Sequence, residues 1–287
     1  MLAATPDPTL EARILEAREL PGVRAGSGLA WHGTRLVVVQ DDAFAVAIVD
    51  PASRAVTHLP LVGAGAALPK AEKPDFEAVF ADGGGCLVLV GSGSKPNRCC
   101  WATLDLAAGA VKLTEHPALY AAIAEALGGP PNLEGAVVAG NRLRLFHRGD
   151  GAGNGTNVVL DLPWDPETGA APRVVERRAF DLGAVAGVAL TFTDATCLPD
   201  GRILYLAAAE DTPNAVDDGR VVGAAIGILA GDAVRWAPLL EADGSPSVRK
   251  IEGVALAADG LGGYLVTDAD DPALPAELLR FALRGPW

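Results

Sequence analysis

Five similar apolar segments in this chain each open on a residue able to do chemistry. They are Gly26-Ser27-Gly28-Leu29-Ala30-Trp31, Pro74-Asp75-Phe76-Glu77-Ala78-Val79-Phe80, Asn132-Leu133-Glu134-Gly135-Ala136-Val137-Val138, Phe192-Thr193-Asp194-Ala195-Thr196-Cys197-Leu198 and Lys250-Ile251-Glu252-Gly253-Val254-Ala255-Leu256. Aligning Ser27, Glu77, Glu134, Asp194 and Glu252 gives separations of 50, 57, 60 and 58 residues. If the fold gathers these four carboxylates, they must hold a cation, pair with Arg or Lys, or keep protons. At ~5 Å and an effective dielectric of ~20, each adjacent pair repels by roughly 3 kcal/mol. If a cation is what they hold, an all-oxygen acidic cage suits Ca²⁺ or Mg²⁺ and not zinc, with Glu77, Glu134, Asp194 and Glu252 as the candidate ligands.

The elements that must position these residues are strands. A repeat of this period in a chain of short apolar runs marks a radial β array. In the third unit the pattern predicts strands over Glu134–Val138, Arg142–Phe146, Asn157–Leu162 and Arg173–Phe180, punctuated by Gly-Asn and similar turn signals. The fourth repeats this with a Pro199-Asp200-Gly201 turn and strands at Ile203–Ala207, Ala224–Leu229 and Ala233–Leu239. The fifth offers only Gly253–Leu256, Gly263–Thr267 and Leu278–Leu283, one strand short. The strand-like segment Ala12–Leu20 precedes the first unit. Lending it to the last unit would close the ring and remove an open edge. The expected fold is therefore all-β: a five-bladed β-propeller over residues 1–287 as a single domain, with six blades as the alternative. One segment departs from the β pattern. Pro117–Leu127 sets Leu119, Ile123 and Leu127 four residues apart between Pro and Gly128-Gly129-Pro130, which predicts a short inserted helix.

In a propeller the links entering the first strands and the loops joining second to third strands emerge on one face. That brings a second polar set to the channel mouth: Gln40, Asp41 and Asp42; Ser92, Ser94, Lys95, Asn97 and Arg98; His147, Arg148 and Asp150; Glu210, Asp211 and Asn214; Asp268, Asp270 and Asp271. His147 and Asp268 are candidate bases, and Lys95, Arg98, Arg148, Asp41 and Glu210 candidate substrate-binding residues. The competing reading pairs Arg148 with Glu134. Other motifs carry less. Gly91-Ser92-Gly93-Ser94-Lys95 lacks the spacing of a nucleophile elbow. Asp268-Ala269-Asp270-Asp271 runs into Pro272 and lacks the Gly and terminal Glu of an EF-hand. The glycines of Gly149–Gly155 have no βαβ unit around them.

Bulk properties narrow the partners. Half the 287 residues are hydrophobic, enough for a large core, and only 15 are aromatic (5 Trp, 3 Tyr, 7 Phe), so the core is expected to be small-residue aliphatic packing. A net charge of −13 with no basic run disfavours nucleic acid and anionic membrane as partners. No signal peptide or membrane span is legible, and the cysteines at 86, 99, 100 and 197 form no C-x-x-C, so they read as buried thiols of a cytoplasmic protein. A monomer is expected.

The Asn-Leu-Glu-Gly-Ala-Val and Lys-Ile-Glu-Gly-Val-Ala openings resemble the phytase-like (esterase-like) propeller family. More distantly, they are similar to calcium-dependent propellers of the gluconolactonase and strictosidine-synthase type. The resemblance spans Ser27 to Leu283 and implies a central metal held by Glu77, Glu134, Asp194 or Glu252. Ala78 and Ala195 replace its glycine, and Ser27 replaces one acid. The expected function is small-molecule binding with divalent-metal-assisted hydrolysis of an ester, lactone or phosphoester. The alternative is a non-catalytic scaffold whose channel acids are neutralised by Arg and Lys and whose face binds a protein partner.

Overall fold

The computed structural model describes residues 1–61, 73–149, 155–212, 219–271 and 273–287. After β1 (Glu11–Glu19) the described residues form five antiparallel units. Unit I is β2 (Gly26–His32), β3 (Arg35–Gln40), β4 (Ala45–Val49) and β5 (Val56–Pro60). Unit II is β6 (Phe76–Ala81), β7 (Leu87–Gly91), β8 (Cys100–Asp105) and β9 (Ala110–Glu115). After helix α1 (Pro117–Leu127), unit III is β10 (Leu133–Ala139), β11 (Arg142–His147), β12 (Asn157–Asp165) and β13 (Glu176–Asp181). Unit IV is β14 (Val188–Cys197), β15 (Ile203–Asp211), β16 (Arg220–Ala230) and β17 (Ala233–Leu240). Unit V is β18 (Ile251–Leu256), β19 (Gly262–Thr267) and β20 (Glu277–Arg284), completed on its outer side by β1, antiparallel to β20. The N-terminal segment thus supplies the strand that unit V lacks.

The first strands of the units touch in a closed circle, β2 to β6 to β10 to β14 to β18 and back to β2. Each adjacent pair of units shares a hydrophobic cluster, so the core is divided into wedges between sheets. This explains the near-continuous apolar strands. Along Leu36-Val37-Val38-Val39, Leu36 and Val38 pack towards unit V while Val37 and Val39 pack towards unit II. Successive side chains point to opposite faces, and here both faces are covered.

The predicted helix is present with Pro at its start and Gly128 at φ +79 after its end. It buries Leu119, Tyr120 and Ile123 against units II and III, and Tyr120 Oη donates to Gly91 O at 2.6 Å. The cysteines are free and half-buried, so the expectation of buried thiols is met only in part. No helix among the described residues is long and apolar enough to cross a membrane.

Close packing has left no room at Gly227 in β16. A Cβ there would stand 2.1 Å from the ring of Tyr205, a side chain that is wholly buried. Gly227→Ala is expected to cost roughly 1–3 kcal/mol of unfolding free energy through overpacking, measurable as a lower denaturant midpoint with unchanged slope.

Candidate functional site

All five described first strands carry the same irregularity, near the N-terminal end in four of them and mid-strand in the longer β14. Pairing with the second strand skips one residue between Gly26 and Gly28, Phe76 and Ala78, Leu133 and Gly135, Phe192 and Asp194, and Ile251 and Gly253. The skipped residues are Ser27, Glu77, Glu134, Thr193 and Glu252. A bulge of this kind re-aims one side chain and ends regular pairing. The equivalent position in unit IV is therefore Thr193, one residue before the Asp194 of the sequence alignment.

The two hydroxyl members act alike. Ser27 Oγ donates to Phe76 O at 2.6 Å, and Thr193 Oγ1 donates to Ile251 O at 2.7 Å, each reaching the residue before the next unit's glutamate. Asp194 spends its carboxylate on backbone: Oδ1 accepts from Ala195 N at 2.7 Å and Oδ2 from Val254 N at 2.8 Å. It fastens unit IV to unit V.

Two cations organise much of the remainder. Arg148, just past β11, pairs with Glu210, with Glu134 at 3.7 Å and with Glu252 at 3.8 Å. Lys250, just before β18, meets Glu252 at 3.4 Å, Asp268 at 3.8 Å and Asp270 at 2.6 Å. Both are held well above their usual range: burial opposes the charge, but the surrounding carboxylates outweigh it. Burial also works against ionised Glu210, yet Arg148 and the Gly219 N–H keep its carboxyl below the usual range. Burial pushes Glu134 up to about 8 despite Arg148, and Asp268 up to about 8 with Glu252 adding to the effect.

A second group has less compensation. Asp41, Asp75 and Glu77 each place an oxygen within 4.8 Å of the other two. Asp75 sits at φ +53, a left-handed conformation that Asp tolerates better than most residues. Its Oδ2 accepts from Arg98 Nη1 at 2.5 Å and from Ser92 Oγ at 2.6 Å. Glu77 makes no hydrogen bond or ion pair among the described residues, and Asp41 Oδ1 is shielded from solvent with no partner. Burial raises Asp41 to about 6, with Lys73 opposing and Glu252, Asp42 and Asp75 adding. Glu77 is raised well above the carboxylate range by burial, then by Glu134, Asp75 and Asp41.

The other expected residues fall outside these contacts. His147 Nδ1 accepts from Asn132 N at 2.9 Å, and burial lowers the imidazole to about 4. It is neutral at physiological pH, with one nitrogen committed to holding the start of β10. Lys95 is exposed and makes no ion pair among the described residues. Asp150 and Asn214 lie outside the described residues. Sequence reasoning did not single out Asp75, Lys250 or Thr193, although all three stand inside the repeated segments.

Residues 22–283 match the model of a family of unknown function (DUF6929), and the chain belongs to that family. No curated protein matches the sequence. Among solved structures it is similar to Myxococcus xanthus glutaminyl cyclase, with a TM-score of 0.55 and 11% identity over 100% of this chain and 99% of that one. It is also similar to a putative gluconolactonase, with a TM-score of 0.44 and 12% identity over 99% and 96% of the two chains. A chain of the mitotic checkpoint complex gives 0.49 and 11% over 96% and 93%. At such identities the cyclase likeness speaks to fold alone, and with the radial sheets it defines a β-propeller-like protein.

Two outcomes follow from the charge arrangement. Arg148→Met strands Glu134, Glu210 and Glu252 and is expected to cost about 3–5 kcal/mol at neutral pH, with a smaller loss at pH 5, where the acids can protonate. Asp41 and Glu77 have folded pKa values above their unfolded ones, so the folded state holds the extra protons. Their contribution to stability is thus greatest below about pH 4 and is lost as pH rises through about 6 and beyond. In divalent-free buffer, calorimetric Tm should decline from about pH 5 to pH 8, and Glu77→Gln should flatten the decline.

Proposed function

We propose that this chain is a single five-bladed, monomeric propeller that binds a small molecule at its acidic mouth together with Ca²⁺ or Mg²⁺. Asp41, Asp75 and Glu77 are the metal ligands in this reading. The observation that carries it is the pairing of close oxygens with missing partners: three carboxylates within 4.8 Å and, among the described residues, no hydrogen bond or ion pair to Glu77 and no donor to the shielded Asp41 Oδ1. Hard, charged oxygens are the donor set of these two cations, and three carboxylates leave positions for water or a substrate oxygen. Glu134 and Glu252, expected ligands by sequence, belong instead with Arg148 and Lys250.

In the enzymatic form of this proposal the reaction is hydrolysis of an ester, lactone or phosphoester, in keeping with the phytase-like resemblance. A bound divalent ion supplies Lewis-acid polarisation and an activated water. Asp268, whose carboxyl burial holds above its usual range, serves as proton donor in preference to base. Arg98 holds Asp75 in place and Arg148 keeps Glu134 and Glu252 from crowding the ion.

A second reading has its own support. Arg148 hydrogen-bonds Glu210 and lies within 4 Å of Glu134 and Glu252, which is what a scaffold with an internally neutralised channel requires. In that case the face serves a protein partner.

A melt of chelator-treated protein with and without millimolar Ca²⁺ or Mg²⁺ separates the two. A site filled to about a hundred times its Kd adds ~2.7 kcal/mol, a rise of several degrees. The expected result is a rise abolished by Glu77→Gln, kept in Arg148→Gln if that variant folds, and larger at pH 8 than at pH 5, because binding displaces protons. No rise with either ion at pH 8 removes the metal reading and leaves the scaffold.

A further inference from the structure

Away from the mouth, where unit V meets unit I, lies a cavity of about 110 Å³. Its wall includes Glu16 and Arg18 on β1, Arg280 on β20, Tyr264 on β19 and Arg54 in the turn between β4 and β5. Strand register gathers these residues. Arg280 stands opposite Glu16 on one side and Tyr264 on the other, and Leu278, two residues before Arg280, stands opposite Arg18. Residues two apart on a strand share a face. Arg54 comes from the neighbouring unit at φ +67, its backbone N–H donating to Asp50 O at 2.8 Å.

Arg54 and Arg280 are exposed, and Arg18 is half-buried with one guanidinium nitrogen shielded. Glu16 stands 3.6 Å from Arg54 and 3.6 Å from Arg280, too far for a hydrogen bond to either. Arg18 has no hydrogen bond or ion pair among the described residues, and its Nη2 is shielded from solvent with no partner. Each guanidinium presents five N–H donors in a planar fork; a shielded donor without an acceptor is costly, which applies to Arg18 Nη2, while Arg54 and Arg280 face water. Three cations against one carboxylate leave two positive charges here, in a chain whose net charge is −13. Waters fill such a niche but cannot neutralise it. A tetrahedral dianion does both, and the guanidinium fork matches its oxygens two at a time.

We propose that this niche binds a phosphate group, either inorganic phosphate or the phosphoryl end of a small ester, held by Arg18, Arg54 and Arg280. Glu16 is the internal competitor for the same cations. Because Arg54 belongs to unit I and the other two to unit V, the bound anion bridges the junction at which the ring closes.

Calorimetric titration of the chelator-treated full chain at constant ionic strength tests this, with inorganic phosphate in one arm and glycerol phosphate in the other. Saturable binding is expected. Arg18→Gln should weaken it by about tenfold, the worth of one charge-assisted hydrogen bond, and Glu16→Gln should tighten it. Glu77→Gln, in the mouth, should leave it unchanged. Tighter binding of glycerol phosphate identifies the ester as the ligand source, and tighter binding of inorganic phosphate identifies the free ion. If Arg18→Gln does not fold, Glu16→Gln and Arg280→Gln carry the test. Absence of saturable binding to folded wild-type protein in both arms overturns the proposal. So does an affinity that neither Glu16→Gln nor Arg280→Gln alters.

Discussion

Everything at the mouth depends on the Arg148 guanidinium reaching three carboxylates from three different units. Glu134, Glu210 and Glu252 belong to units III, IV and V, and each is buried. Removing such groups from water is expensive unless an opposite charge goes with them. Lys250 repeats the arrangement between Glu252 and the loop after β19. These two cations let inner strands bearing acids approach one another, and the closed circle of first strands requires that approach. Among the described residues, units I and II have no cation that reaches three carboxylates, and burial there raises Asp41 and Glu77 towards the protonated form.

The surrounding architecture serves this centre in a simple way. Each sheet buries both faces in wedge-shaped clusters shared with its neighbours, so the apolar residues lie between units and the polar ones are left for the axis and the loops. The joints are reinforced close to the axis by Ser27, Thr193 and Asp194, which bond from one unit to the backbone of the next. Packing and polar satisfaction thus agree about which units are neighbours.

Much of the fold was legible because the chain repeats itself. The period exposed the units, the strand missing from unit V pointed to Ala12–Leu20, and Pro117 with Gly128 bracketed the helix. The site was legible in part. Glu77 and Asp41 came from the repeat and the loop rule, and the pairing of Arg148 with Glu134 was one of two readings the residues allowed. Thr193 was hidden because a one-residue bulge leaves no mark in composition or hydropathy, and Asp194 is the more chemically conspicuous neighbour. Asp75 was hidden because its role rests on a left-handed backbone angle and on Arg98, 23 positions further along the chain. Lys250 was quoted within a motif, but its partners Asp268 and Asp270 lie a hairpin away. His147 drew attention by residue type, and only its surroundings reveal that burial keeps it neutral.

The recurrence of one bulge at the same height in every first strand has a consequence for how such a protein diversifies. Positions 27, 77, 134, 193 and 252 are aimed by backbone irregularity and not by the side chains that occupy them. They are five corresponding positions on a common frame, here filled by Ser, Glu, Glu, Thr and Glu. Replacing the residue at one position changes the chemistry presented to the axis while the strand pairing that holds the frame stays as it is. A single exchange at one of them therefore acts on the polar pairing around the axis and not on strand register.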